Sequence, residues 1–151
     1  MQIKDNIMSN KPLTWCVDWQ NLTAKEKFLM GMPFIGTDVK AYKDINTQLK
    51  TRSEADLQEW DSYPKEISEL AKQIIELYKK KKLWPNPIFL PQDPADIAFC
   101  LRFDLTDKYD LLPDSIWVVE QDIGIKMDEE FWHNLHHYKF YQSIEIILKN
   151  K

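Results

Sequence analysis

A chain of 151 residues suits one domain and is long enough to bury roughly two-thirds of its unfolded surface. An apolar fraction of 44% and an aromatic fraction of 13% exclude a disordered tail as its main identity, and six Trp, six Tyr and seven Phe can fill a core without staples. The net charge of −4, with a pI of about 5.4, argues against a nucleic-acid partner.

The two cysteines, Cys16 and Cys100, lie in apolar segments, read as small buried hydrophobes and provide no metal framework. Met1 to Lys11 is polar and lacks the apolar run of a signal peptide. No stretch approaches the ~18 apolar residues of a membrane span. A cytoplasmic protein without membrane contact is expected.

In chain order, Leu13 to Trp19 alternates large apolar with small or polar residues, which predicts a short N-terminal strand. Thr23-x-x-Glu26 has capping-box spacing, so a helix should run to about Met30, where Gly31 and Pro33 stop it. Thr37-Asp38 opens a helical segment carrying Val39, Tyr42, Ile45 and Leu49. Thr51-x-x-Glu54 restarts the pattern through Leu57 and Trp60. Pro64 opens the clearest helix, with Ile67, Leu70, Ala71, Ile74, Leu77 and Tyr78 on one stripe. The lysines at 79–82 close it, where cations complement the helix dipole.

Trp84 to Pro94 holds four prolines and must be extended or looped. Asp93-Pro94-Ala95-Asp96 then reads as a helix start. Ile97, Phe99, Leu101, Phe103 and Leu105 alternate as a strand would, so both readings stay open, the short helix preferred. Asp114 is a plausible N-cap for a helix carrying Ile116, Val119 and Ile123, with Gly124 as its left-handed cap; the β-branched residues keep a strand as the alternative. From Asp128 onward, Phe131, Trp132, Leu135 and Tyr138 fall on one side of a helix. Phe140, Tyr141, Ile144, Ile147 and Leu148 fall on nearly the opposite side. A straight helix would expose one stripe, so a break near His137–Tyr141 is predicted. The fold class expected is mainly α: a helical bundle with a short N-terminal strand and room for a small antiparallel β element, α+β being the alternative. One domain over 1–151 is read, with subregions 1–61 and 62–151.

Charge is uneven along the chain. Between Asp93 and Glu130 eleven acids face Arg102, Lys108 and Lys126, a local net of −8, whereas residues 1–92 carry fourteen bases and twelve acids. Such a segment steers basic partners.

Familiar chemistries find little support. Histidines occur only at 133, 136 and 137; Glu130-x-x-His133 has di-iron spacing but lacks the second Glu-x-x-His such a site needs. Glu129, His133 and His137 would need further ligands to complete a zinc shell. With three glycines there is no dinucleotide motif, phosphate loop or nucleophile elbow. Neither a metal nor another cofactor is expected, and no catalytic residue is assigned. An enzyme using Cys16 or Cys100 beside a histidine stays as an alternative.

Two stretches carry resemblances. Pro64–Lys82, Val118 to Glu130 and Ser143 to Ile147 resemble, in order, helices of acyl carrier proteins, over about 62–151. In that family a serine in an Asp-Ser-Leu motif carries phosphopantetheine, and Asp114-Ser115-Ile116 is similar to it, so the resemblance implies modification at Ser115. Leu22 to Gly31 resembles the opening of the small helical domain that precedes sugar acetyltransferases, without the hexapeptide repeats that perform their chemistry.

The leading expectation is a non-catalytic binding protein that docks a basic partner through 93–130, in the style of an immunity protein inhibiting a toxin. Asp104, Asp107, Asp110 and Asp114 would supply the charge, and partly exposed Trp117 and Trp132 the anchors.

Overall fold

The computed structural model describes residues 11–30, 32, 35–81, 84–99 and 115–150, the side chains of Asp38 and 115–118 excepted. Along these residues run α1 (Ala24–Leu29), α2 (Thr37–Leu49), a 3₁₀ helix η1 (Glu54–Ser62), α3 (Lys65–Lys81) and α4 (Ala95–Ala98). They are followed by α5 (Ser115–Ile123), α6 (Glu129–His133), a 3₁₀ turn η2 (Leu135–His137) and α7 (Phe140–Lys149). The protein is mainly helical. Among the described residues the β content is one isolated antiparallel bridge, Pro94 with Lys139.

The local signals in the sequence act as expected at several points. Thr23 Oγ1 accepts the Glu26 N–H at 3.1 Å while Glu26 Oε1 accepts the Thr23 N–H at 2.8 Å, the reciprocal cap that starts α1. Apolar spacing along α3 buries Ile67, Leu70, Ala71, Ile74 and Tyr78, and α3 packs against α7 and α5. Gly124 ends α5 at φ +83°, a conformation in which any other residue would be strained; Ile125 behind it is buried. Residues 115–123 are therefore helix and not strand.

The break near residue 139 is present. Tyr138 and Lys139 are extended (ψ 153° and 160°) between η2 and α7. Phe131, Trp132 and Leu135 are buried on one side of the break and Phe140, Ile144 and Ile147 on the other. The extended residues are held because two helix starts lie side by side there. The Ala95 N–H donates to the Tyr138 carbonyl at 2.9 Å, and the Phe140 N–H donates to the Asp93 carbonyl at 2.7 Å. Each start thereby satisfies a backbone group of the other chain segment.

The expected N-terminal strand does not form. Leu13 and Trp15 do turn inward, but the donors of this segment meet side chains instead of a neighbouring strand. The Leu13 N–H donates to Asp93 Oδ1 at 2.9 Å. Gln48 behaves like a strand partner to one residue: Oε1 accepts the Thr14 N–H at 3.1 Å and Nε2 donates to the Thr14 carbonyl at 2.8 Å. Trp15 Nε1 reaches Asp96 Oδ2 at 3.0 Å.

At the centre of the molecule is a buried loop. Ile88, Phe89 and Leu90 are fully enclosed, yet belong to no helix or sheet. A buried loop requires partners for its backbone polar groups. Trp60 Nε1 donates to the Phe89 carbonyl at 3.0 Å, and Asp93 Oδ2 accepts the Leu90 N–H at 2.7 Å. Arg52 Nη1 donates to the Ile88 carbonyl at 2.9 Å and to Asp93 Oδ2 at 2.7 Å. Its Nη2 donates to Asp93 Oδ1 at 2.9 Å and to the Lys11 carbonyl at 2.7 Å. The Arg52 and Asp93 side chains are 2% and 0% exposed. Every oxygen of the carboxylate is met by N–H donors, the condition under which a buried ion pair is tolerated. Asp93 stands at the predicted helix start, but it does not cap α4; its carboxylate ties the N-terminal strap, the end of α2 and the proline loop into one unit.

Candidate functional site

The eleven acids between Asp93 and Glu130 divide by what they touch. Asp93 is consumed by Arg52, and Asp96 accepts the Trp15 indole. Asp122 pairs with Lys81 at 3.3 Å, which clips the end of α5 to the end of α3. Asp128 Oδ1 accepts the Phe131 N–H at 2.9 Å and so caps α6. Asp104, Asp107, Asp110 and Asp114 lie outside the described residues. Glu120, Glu129 and Glu130 remain; the last two are exposed, lead α6 and have no ion-pair partner among the described residues.

The aromatic anchors divide as well. Trp132 is only 7% exposed, packed edge-on against Phe99 (5.4 Å between centroids) and Phe131 (5.0 Å). The expectation of a partly exposed Trp132 is corrected: it is a core residue, and among the described residues no hydrogen-bond partner meets its indole N–H. The side chain of Trp117 lies outside the described residues, as does that of Ser115, whose backbone is the first residue of α5. Cys16 also departs from expectation, being exposed; Cys100 is outside the described residues.

Cys16 lines a cleft of about 670 Å³ between α1 and α2 with Lys25, Lys40, Lys43, Glu26 and Asp44. Partial desolvation of the sulfur and then the Asp44 carboxylate push its thiol up, against smaller opposing pulls from a backbone hydrogen bond and from Lys40. That shift is opposite to the lowered value that marks a nucleophilic cysteine. The histidines are exposed, with the His136 and His137 rings 4.0 Å apart. Among the described residues, no three His, Cys, Asp or Glu stand close enough to hold a metal ion.

One further carboxylate has an unusual setting. Glu59, on η1, is partly buried, and its Oε2 finds no hydrogen-bond donor among the described residues. Burial pushes its carboxyl above the ordinary range; Arg52 opposes this, while Asp56 and Asp93 add to it. With the folded value raised, the stabilising contribution of this group is complete below the unfolded carboxylate value and is lost as pH rises through the folded one. Glu59→Gln should therefore lessen any decline in Tm as pH rises above the ordinary carboxylate range. Thermal melts of both proteins across that rise check it.

Two grooves flank α7. One, of about 430 Å³, is lined by Met127, Asp128, Glu130, Phe131, Tyr138 and Ile146 among others. The second, of about 610 Å³, lies between α3 and α7 and carries Glu66, Glu69 and Glu145. No described helix is long and apolar enough to cross a membrane. Comparison with known proteins yields no matching family model, no matching curated protein and no matching solved structure.

Proposed function

We propose that this chain is a non-catalytic protein-binding domain that docks a basic partner through its acidic stretch, in the style of an immunity protein that inhibits a toxin. The observation that carries the reading is the pair Glu129 and Glu130. They are exposed, uncommitted carboxylates at the start of α6, and Glu130 borders the 430 Å³ groove where Met127, Tyr138 and Ile146 are only partly buried. Carboxylates around a partly apolar recess suit a positively charged protein surface, the charges setting the rate and register of encounter.

The test is affinity capture from extracts of the source organism, followed by measurement of the captured protein's Kd. Reversal at Glu129→Lys and Glu130→Lys together should weaken binding at least about tenfold, and wild-type binding should weaken with salt. A second variant reversing Asp107, Asp110 and Asp114 examines the earlier part of the stretch. Unchanged affinity in both variants would discard the acidic-docking mechanism.

A further inference from the structure

We infer that the groove between α3 and α7 seats a basic amphipathic helix of a partner protein. This rests on the reading of the chain as a docking domain for a basic partner, and it carries the contact beyond residues 93–130. The groove has a volume of about 610 Å³. From α3 it receives Glu66 and Glu69, three residues apart, and from α7 Glu145 and Leu148, also three apart. Ile67 and Leu70 close the floor, and Leu148 is part-buried beside them. The result is an apolar floor with carboxylates on both banks.

Charge selects the occupant. Glu66 and Glu145 have no ion-pair partner among the described residues. Glu69 meets Lys65 at 4.0 Å, where both side chains are well exposed, a contact too weak to hold it. Among the described residues, Lys149 is the cation lining the groove. A helix that laid an apolar stripe on the floor and set Lys or Arg toward each bank would satisfy both features at once. An acidic segment or a nucleic acid would meet three carboxylates and be repelled.

The surface is also continuous with the proposed interface. The buried face of α7 is Phe140, Ser143, Ile144 and Ile147. Glu145, Leu148 and Lys149 border this groove on one side of that face, while Ile146 and Asn150 border the groove of Glu130 on the other. α7 thus forms a ridge between two recesses that both carry acids, as a partner crossing α7 would require.

The probe is a labelled helical peptide of about 14 residues, with lysines on one face and leucines on the other, titrated against the full chain by fluorescence anisotropy. Glu66→Lys, Glu69→Lys and Glu145→Lys together should weaken it at least about tenfold, whereas the Glu129→Lys, Glu130→Lys variant should stay within about twofold. A peptide of the same composition in scrambled order, unable to present two faces, should bind at least about fivefold more weakly. Amide NMR spectra establish that the variants are folded, and the corresponding triple Gln variant should still weaken binding if the Lys variant does not fold. Equal binding by the triple variants, or by the scrambled peptide, would overturn the groove assignment. If the captured natural partner survives the groove reversal yet is lost with Glu129 and Glu130, the groove assignment fails while the docking function stands. If that partner is unaffected by the groove reversal and by both reversals within the acidic stretch, both readings fall.

Discussion

Asp93→Ala is expected to destabilise the protein by about 3–5 kcal/mol, the cost of leaving a buried guanidinium without its counter-ion. Arg52 could not escape to water, because its side chain is 2% exposed and is fixed by the carbonyls of Ile88 and Lys11. The Leu13 and Leu90 N–H groups would also lose their acceptor. Since domains are stable by only about 5–15 kcal/mol, the change would consume a large share of the total. Urea denaturation reads the loss.

A double-mutant cycle sharpens the test. Arg52→Met with Asp93→Leu removes both charges, so the pair should lose less than the two single changes added together, by at least about 2 kcal/mol. Full recovery is not expected, because the orphaned backbone groups of residues 11, 13, 88 and 90 remain. The damage should also be local first. Hydrogen exchange at Leu13 should accelerate ahead of global unfolding, since the strap from Lys11 to Trp15 is held by side chains and not by a sheet. Additive single effects and an unaltered Leu13 amide would contradict this account.

Trp60→Ala should cost a comparable amount, about 3–5 kcal/mol, through a different mechanism. Trp60 is fully buried against Phe140 (5.5 Å between centroids) and Tyr63 (5.8 Å). Its removal opens a large cavity between η1 and α7 and strips the Phe89 carbonyl of its donor. Trp60→Phe separates the two contributions: much of the ring contact survives, the hydrogen bond does not, and a loss of about 1–3 kcal/mol is expected. Chemical denaturation of the two variants gives the difference. A loss under about 1 kcal/mol for the alanine variant would mean the site collapses around the gap.

The helical elements were legible where the signal is local. Thr23 and Glu26 form the reciprocal cap their spacing implies, and the stripe from Ile67 to Tyr78 is the buried face of α3. Gly124 takes the left-handed turn, and opposed apolar stripes around residue 139 locate the break before α7. The alternation from Leu13 to Trp19 misled because a period of two marks an extended chain with one side inward, and extension does not require a strand partner. Gln48 and Asp93 supply the bonds that a sheet would have supplied.

The candidate site was far less legible. A count of acids between Asp93 and Glu130 treats every carboxylate as surface charge. Asp93 is nevertheless the most deeply committed polar group described, and Asp122 and Asp128 serve a helix clip and a helix cap. The α3–α7 groove escaped notice because Glu66 and Glu145 stand 79 residues apart in the sequence and meet only through packing. The buried Trp132 was equally hidden, since an aromatic on a short helix belongs to the core or to an interface according to what packs over it.

Sequence alone determined the helical character of the chain, most helix starts and stops, and the excess of negative charge. The charge is a matter of composition, and the helical features depend on side chains three or four positions apart, whose interactions a helix makes regardless of its surroundings. Tertiary structure decided which charges are available and how a proline loop can occupy the centre of the molecule. Arg52 reaches Asp93 across 41 positions and Leu13 reaches it across 80. No short-range pattern encodes such pairs; they form because a polar backbone taken out of water must find partners wherever the fold brings them.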